Sequence, residues 1–143
     1  MRHTSLVVLL FALSGSMAVA ASKPSLTLSD AKIFMPLKGS DVTAGYGVFK
    51  NNSEHPVTLK LKSVKPFKGA EMHETVEKNG KASMHPIDQA VIAPHQTFEF
   101  KPGAHHIMLF DPTRPLKLNE TLRAQFEENG KPVSFPFKVV PRN

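Results

Sequence analysis

Ala70-Glu-Met-His-Glu-Thr-Val-Glu-Lys-Asn-Gly-Lys-Ala-Ser-Met-His-Pro-Ile87 is the stretch that decides the fold. Asn79-Gly80 lies at its centre, flanked on both sides by residues that suit strands. Asn-Gly is the strongest short signal for a β-hairpin, because both central residues of the tight turn must tolerate positive φ. A two-residue loop here pairs Lys78 with Lys81, Glu77 with Ala82, Val76 with Ser83 and Thr75 with Met84. Side chains alternate along a strand, so His73, Thr75 and Met84 share one face. His73 and Met84 become diagonal neighbours, within reach of long side chains. A one-residue bulge would move Met84 to the other face, so the inference depends on the turn type.

Working outward, the chain reads as short strands separated by turn chemistry. Leu26–Phe34 is a first strand, broken by Met35-Pro36 and Gly39-Ser-Asp41. Val42–Phe49 follows, with Gly45 and Gly47 marking a bulge or a close backbone approach. Asn51-Asn-Ser-Glu54 is a turn. Val57–Val64 alternates with a period of two, Leu59 and Leu61 on one side and Lys60 and Lys62 on the other. Pro66 and Gly69 end it. Beyond the hairpin come a connector with Pro94, a strand Thr97–Lys101, the turn Pro102-Gly103 and a strand His105–Phe110. The rigid loop Asp111–Pro115 leads to a last hairpin, Leu122–Glu128 and Val133–Val140, about Asn129-Gly130. About eight such strands at regular spacing, with no convincing helix and no repeat, predict an all-β, antiparallel β-sandwich.

The whole chain has 143 residues and 41% apolar side chains, which suits one domain with a real core. Its net charge is +6, but the lysines are dispersed and there is one Tyr, no Trp and no Arg-rich block. Nucleic-acid binding is therefore not expected; a mild attraction for an acidic partner is. There is no cysteine, which excludes disulfides, zinc-thiolate sites, thiol nucleophiles and a blue-copper electron carrier. Arg2 and His3, the apolar run Leu6–Leu13 and the small-residue pattern Ala18-Val-Ala20 predict a cleaved secretory signal over residues 1–21. The run is too short to span a bilayer. Residues 22–143 should then be a single exported, periplasmic domain with no integral membrane segment.

Five of the seven histidines and three of the six methionines fall within Ala70–Phe110. His106 and Met108 are two apart on one strand and share a face, while Ile107 and Leu109 point into the core. Together with His73 and Met84 they make a neutral, soft set of two imidazoles and two thioethers. Hard ions such as Ca²⁺ and Mg²⁺ require oxygen donors; thioether suits Cu(I) far better than Zn²⁺. The other candidates have plainer readings. Met72 belongs to the core, His85 and His105 are solvated neighbours, His55 and His95 are turn residues without an evident partner, and Met35 packs. Glu71, Glu74, Asp88 and Asp111 are too scattered for an acid–base pair, and Glu74 faces away from His73. Nothing in the chain resembles a catalytic constellation, so an enzyme is not expected.

His73, ten residues, Met84, twenty-one residues and His106-Ile-Met108 reproduce the spacing H-x10-M-x21-H-x-M. In this the chain resembles the PCuAC family of periplasmic copper(I) chaperones. Glu71-Met-His-Glu-Thr75 is similar to that family's E-L-H-E-T strand, and Lys101-Pro-Gly-Ala-His-His-Ile-Met-Leu109 to its K-P-G-G-x-H-x-M-L. The resemblance spans residues 26–140. It implies a cupredoxin-like Greek-key sandwich that binds one Cu(I) per chain through His73, Met84, His106 and Met108. It also implies delivery of copper to acceptor proteins such as a cytochrome c oxidase subunit, sometimes with a thioredoxin-like copper chaperone, and a monomeric carrier. Three departures stand out: Ala104 replaces a glycine, Ala31-Lys-Ile33 replaces an aromatic and an arginine, and the chain lacks a His/Met-rich tail. The competing reading is a metal-free β-sandwich that serves as a protein-interaction or assembly module of the periplasm.

Overall fold

The computed structural model describes residues 24–143, together with Gly15 and Ser16. The expected signal segment, residues 1–21, otherwise lies outside the described residues. Ten strands are present among them: β1 Leu26–Phe34, β2 Val42–Asn51, β3 Val57–Val64, β4 Phe67–Lys78, β5 Lys81–Ile87, β6 Ala90–Ile92, β7 Thr97–Phe100, β8 His105–Pro112, β9 Thr121–Glu128 and β10 Lys131–Val140. No helix among the described residues is long and apolar enough to cross a membrane.

The Asn79-Gly80 turn forms as its chemistry dictates. Both residues have positive φ, +53° and +74°, and the β4–β5 register is the one a two-residue loop requires, with Thr75 opposite Met84. Asn129-Gly130 closes the β9–β10 hairpin in the same way, with φ of +50° and +79°. The glycines of β2 answer to two different neighbours. Opposite Gly47, β1 carries one extra residue between Ser29 and Lys32, and Asp30 there adopts φ +53°. A Cβ on Gly47 would lie 3.3 Å from the Ala31 Cα and 3.0 Å from the Leu28 Cδ1. A Cβ on Gly45 would press on the Ile33 and Ile107 side chains.

The strands form one continuous sheet in the order β5-β4-β8-β7-β2-β1-β10-β9-β3-β6, with β8 also pairing β2. The sheet folds over so that its two halves face each other around one core. Phe49 of β2 meets Phe126 of β9 and Phe135 of β10 edge-to-face, at ring centroids 5.4 and 5.1 Å apart. Each such fully buried apolar side chain stabilises the fold by roughly 1.5–3 kcal/mol. Strands adjacent in space are remote in sequence, β4 beside β8 and β3 beside β9. The architecture is thus the expected all-β, cupredoxin-like Greek-key sandwich.

Several details differ from the sequence-based expectation. There are ten strands rather than about eight. Strand β3 ends at Val64 as expected, in a turn at Lys65-Pro66 with a cis peptide, but Gly69 is no stop, because β4 already begins at Phe67. The presumed connector contains β6, whose Ala90 and Ile92 are buried and pair with Leu59 and Val57. Two pairings are parallel, β1 with β10 and β7 with β8.

Candidate metal centre

Strand β4 lies between β5 and β8, and its register decides which side chains share a face. Thr75 is opposite Met84 on one side. On the other, His73 is opposite His106 and Glu71 is opposite Met108. Residues opposite one another in an antiparallel pair project to the same side. Glu71, His73, Thr75, Met84, His106 and Met108 therefore stand on one face of three neighbouring strands. The intervening residues face inward, and Met72, Ile107 and Leu109 are buried in the core as expected.

The His73 and His106 rings are 5.4 Å apart between centroids, inclined at 46°. Both are buried, at 9% and 5% exposure. Met84, His106 and Met108 line an open cleft of about 370 Å³, along with Thr75, Tyr46, Pro102 and Gly103. His73 is not among the lining residues; its imidazole lies beside that of His106. Met84 differs from the histidines in being 57% exposed.

Each imidazole keeps one buried nitrogen without a partner. His73 Nε2 lies 2.7 Å from Glu71 Oε2, in hydrogen-bond contact, whereas its Nδ1 is buried and unpartnered, as is Nε2 of His106. Buried polar atoms in native proteins almost always find partners, and two orphans on adjacent rings are what a ligand-binding pair requires. The His106 pKa is held below the ordinary imidazole range, first by burial and then by the neighbouring His73; a backbone hydrogen bond to Ala104 opposes this, and His105 adds to the lowering. The ring is accordingly neutral at neutral pH, the form that coordinates metal.

The Lys101–Ala104 turn supports this end of β8. Gly103 takes φ +80°, the Ala104 amide donates to the Lys101 carbonyl, and the Ala104 carbonyl accepts the Thr75 amide at 3.0 Å. Only Gly103 in this turn needs left-handed backbone, so Ala104 in place of a glycine is conformationally neutral.

The neighbouring histidines separate from the site. His85 is exposed and bonds to Ser83 at 3.0 Å. His105, expected to be solvated, is half-buried and packs on Phe98 at 4.5 Å between ring centroids. Both flank Glu74 on the opposite side of β4. His95 sits in a turn with positive φ as expected, but it has a partner in Glu54 at 2.8 Å. No group of three His, Cys, Asp or Glu among the described residues is placed to hold a metal ion.

Two residues near the cleft escaped the sequence reading, and a third, Glu71, was weighed there only for acid–base chemistry. It lies two positions before His73 on a strand and so shares its face. Tyr46 and Arg142 gave no local signal. Arg142 reaches the cleft from the C-terminal segment, donating to Thr43 Oγ1 at 3.1 Å with its guanidinium over the Phe34 ring.

Comparison with known proteins agrees with this architecture. A copper-bound PCuAC domain from PmoF2 superposes with a TM-score of 0.67 at 16% identity, covering 85% of this chain and 97% of that one. The solution structure of Cu(I)-DR1885 from Deinococcus radiodurans gives 0.67 at 22% identity, covering 85% and 81%. These likenesses establish the fold. By sequence, the chain is 28% identical to "Putative lipoprotein Lxx21020" of Leifsonia xyli subsp. xyli, over 96% of this chain and 89% of the relative. Residues 26–139 match the family described as "Putative lipoprotein LpqE-like", and the chain belongs to that LpqE-like family.

Proposed function

We propose that this domain is an exported, periplasmic copper carrier, not an enzyme. It would take up one Cu(I) through His73, Met84, His106 and Met108 and pass it to acceptor proteins. The observation that carries the reading is the pair of adjacent buried imidazoles, each with an unpartnered nitrogen, beside a cleft lined by two methionine thioethers. Two neutral nitrogens and two soft sulfurs favour a monovalent soft ion over hard divalent ones. The fold-likeness to PCuAC domains, one of them solved with copper bound, supports the same reading. The acceptors we favour are a cytochrome c oxidase subunit, whose copper centre would be assembled, or a thioredoxin-like copper chaperone. The lipoprotein description of the family supports export. We take the carrier to be a monomer, residues 22–143, released by signal cleavage.

The test is competition for Cu(I) between the mature domain and a chromogenic chelator under anaerobic, reducing conditions. A one-to-one endpoint is expected, lost in a Met84→Ala, Met108→Ala double variant. Failure to compete, or full affinity in the double variant, would overturn the reading. Mass spectrometry of both proteins after mixing with candidate acceptor domains then identifies the recipient.

A further inference from the structure

We propose that Glu71 is a positioning residue. Its carboxylate holds His73 as the Nε2–H tautomer, so that His73 offers Nδ1 to the metal while His106 offers Nε2. This inference rests on the Cu(I) reading above and specifies how its two imidazoles are prepared.

The argument begins with the 2.7 Å contact between His73 Nε2 and Glu71 Oε2. An ionised carboxylate has no proton to donate, so the ring nitrogen must be the donor. In a neutral imidazole the proton then resides on Nε2 and the lone pair on Nδ1. That lone pair is buried and has no partner, and leaving it so costs desolvation free energy unless a Lewis acid accepts it. His106 is prepared in the opposite sense. Its Nε2 is the buried orphan. Across rings 5.4 Å apart, the two free lone pairs thus belong to different nitrogens.

Local geometry explains why Glu71 can do this. It lies two residues before His73 and opposite Met108, on the same face as the four donors. Its side chain is half-exposed, and its orientation is set by His73. Such carboxylate–imidazole pairs fix ring orientation and raise ligand basicity, and losing one typically costs about 10–100-fold in metal affinity.

The experiment uses the mature domain uniformly labelled with ¹⁵N. Long-range imidazole spectra of the metal-free protein should show His73 protonated at Nε2 and not at Nδ1. Adding Cu(I) should shift His73 Nδ1 and His106 Nε2. Glu71→Leu should give mixed tautomers and Cu(I) binding about 10–100-fold weaker. Glu71→Gln, whose amide oxygen can still accept from Nε2–H, should restore the tautomer and most of the affinity. Glu71→Gln keeps an acceptor for His73, so this variant should retain the wild-type melting temperature. A metal-free His73 protonated at Nδ1, or a Cu(I)-induced shift at His73 Nε2, would overturn the proposal. So would tighter Cu(I) binding by Glu71→Leu, because Glu71 would then be a competitor that the metal displaces. The metal-free tautomer is measured without copper, so its failure removes only the role of Glu71. Absence of any Cu(I) binding by the wild type would remove the carrier function, and the ligand assignment with it.

Discussion

Replacing His106 by leucine should strengthen the metal-free domain and weaken the copper-loaded one. His106 is 5% exposed and its Nε2 has no partner. An unsatisfied buried polar atom costs about 1–3 kcal/mol, and leucine removes it with little change in volume, so no large cavity term arises. Against this stands the imidazole's polar interaction with the Ala104 backbone, worth up to about 1 kcal/mol. The Ala104 carbonyl is not orphaned, because it still accepts the Thr75 amide at 3.0 Å. The balance is about 0–2 kcal/mol in favour of the variant, and for a domain of this size each 1 kcal/mol moves the melting temperature by about 3–6 °C. Copper reverses the order. At free Cu(I) one hundred times the Kd, the wild type gains about 2.7 kcal/mol by mass action, and the variant, lacking a ligand, gains far less. The assay is thermal unfolding followed by circular dichroism, with and without Cu(I), under anaerobic reducing conditions. A metal-free variant less stable than wild type by more than about 1 kcal/mol would mean that this nitrogen is no liability to the fold. Equal stabilisation of both proteins by Cu(I) would mean that His106 is no ligand.

Three further outcomes are expected. The low pKa of His106 is due first to burial, so the unfolded chain binds a proton that the folded chain resists. Stability should therefore hold above the ordinary imidazole pKa of about 6.5 and fall as the pH drops below it, a slope that His106→Leu should flatten in urea titrations. Asn51 is fully buried; its amide donates to the His55 and Ile92 carbonyls at 2.7 and 2.9 Å and its oxygen accepts from Ser53. Asn51→Ala should cost about 2–4 kcal/mol, read as a lower urea midpoint at unchanged m-value. Gly47→Ala would set a methyl 3.3 Å from the Ala31 Cα, which is backbone and yields little; a loss of about 1–3 kcal/mol is expected in the same titration.

Much of this was legible in the sequence because local chemistry specified it. The Asn79-Gly80 turn demands a two-residue loop, and that loop alone puts Met84 opposite Thr75. The alternation of Val57–Val64 and the spacing of His106 and Met108 assign faces in the same way. What escaped depended on contacts between distant segments. That His73 stands directly opposite His106 follows from the β4–β8 register, which no turn dictates because thirty or so residues separate them. Strand β6 is only three residues long, too short for a periodic signal, and exists because β3 supplies its hydrogen bonds. Pro66 was a true stop signal for β3, but Gly69 was a misleading one, since the chain resumes as a strand at Phe67 and runs through it. Arg142 approaches the cleft through the packing of β10 beside β1, a pairing invisible to any local window.

The four proposed donors are unequal in burial, and the inequality suits a carrier better than a store. The imidazoles stand on β4 and β8, strands paired on both sides, and are almost fully buried. Met84 stands on β5, an edge strand hydrogen-bonded only to β4, and is 57% exposed. Met108 is intermediate. On the proposed reading, an acceptor's incoming donor meets Met84 first. A thioether is neutral and weakly held, so an arriving thiolate can replace it while the imidazoles keep the ion in place. Exchange can then proceed one ligand at a time, with no strand displaced and no core residue exposed. A site built from four equally buried donors would instead require the sheet to open, at a cost comparable to a substantial fraction of the fold's stability of about 5–15 kcal/mol. On the proposed reading, the edge location of β5 is a functional feature: it puts the most replaceable ligand where a partner can reach it.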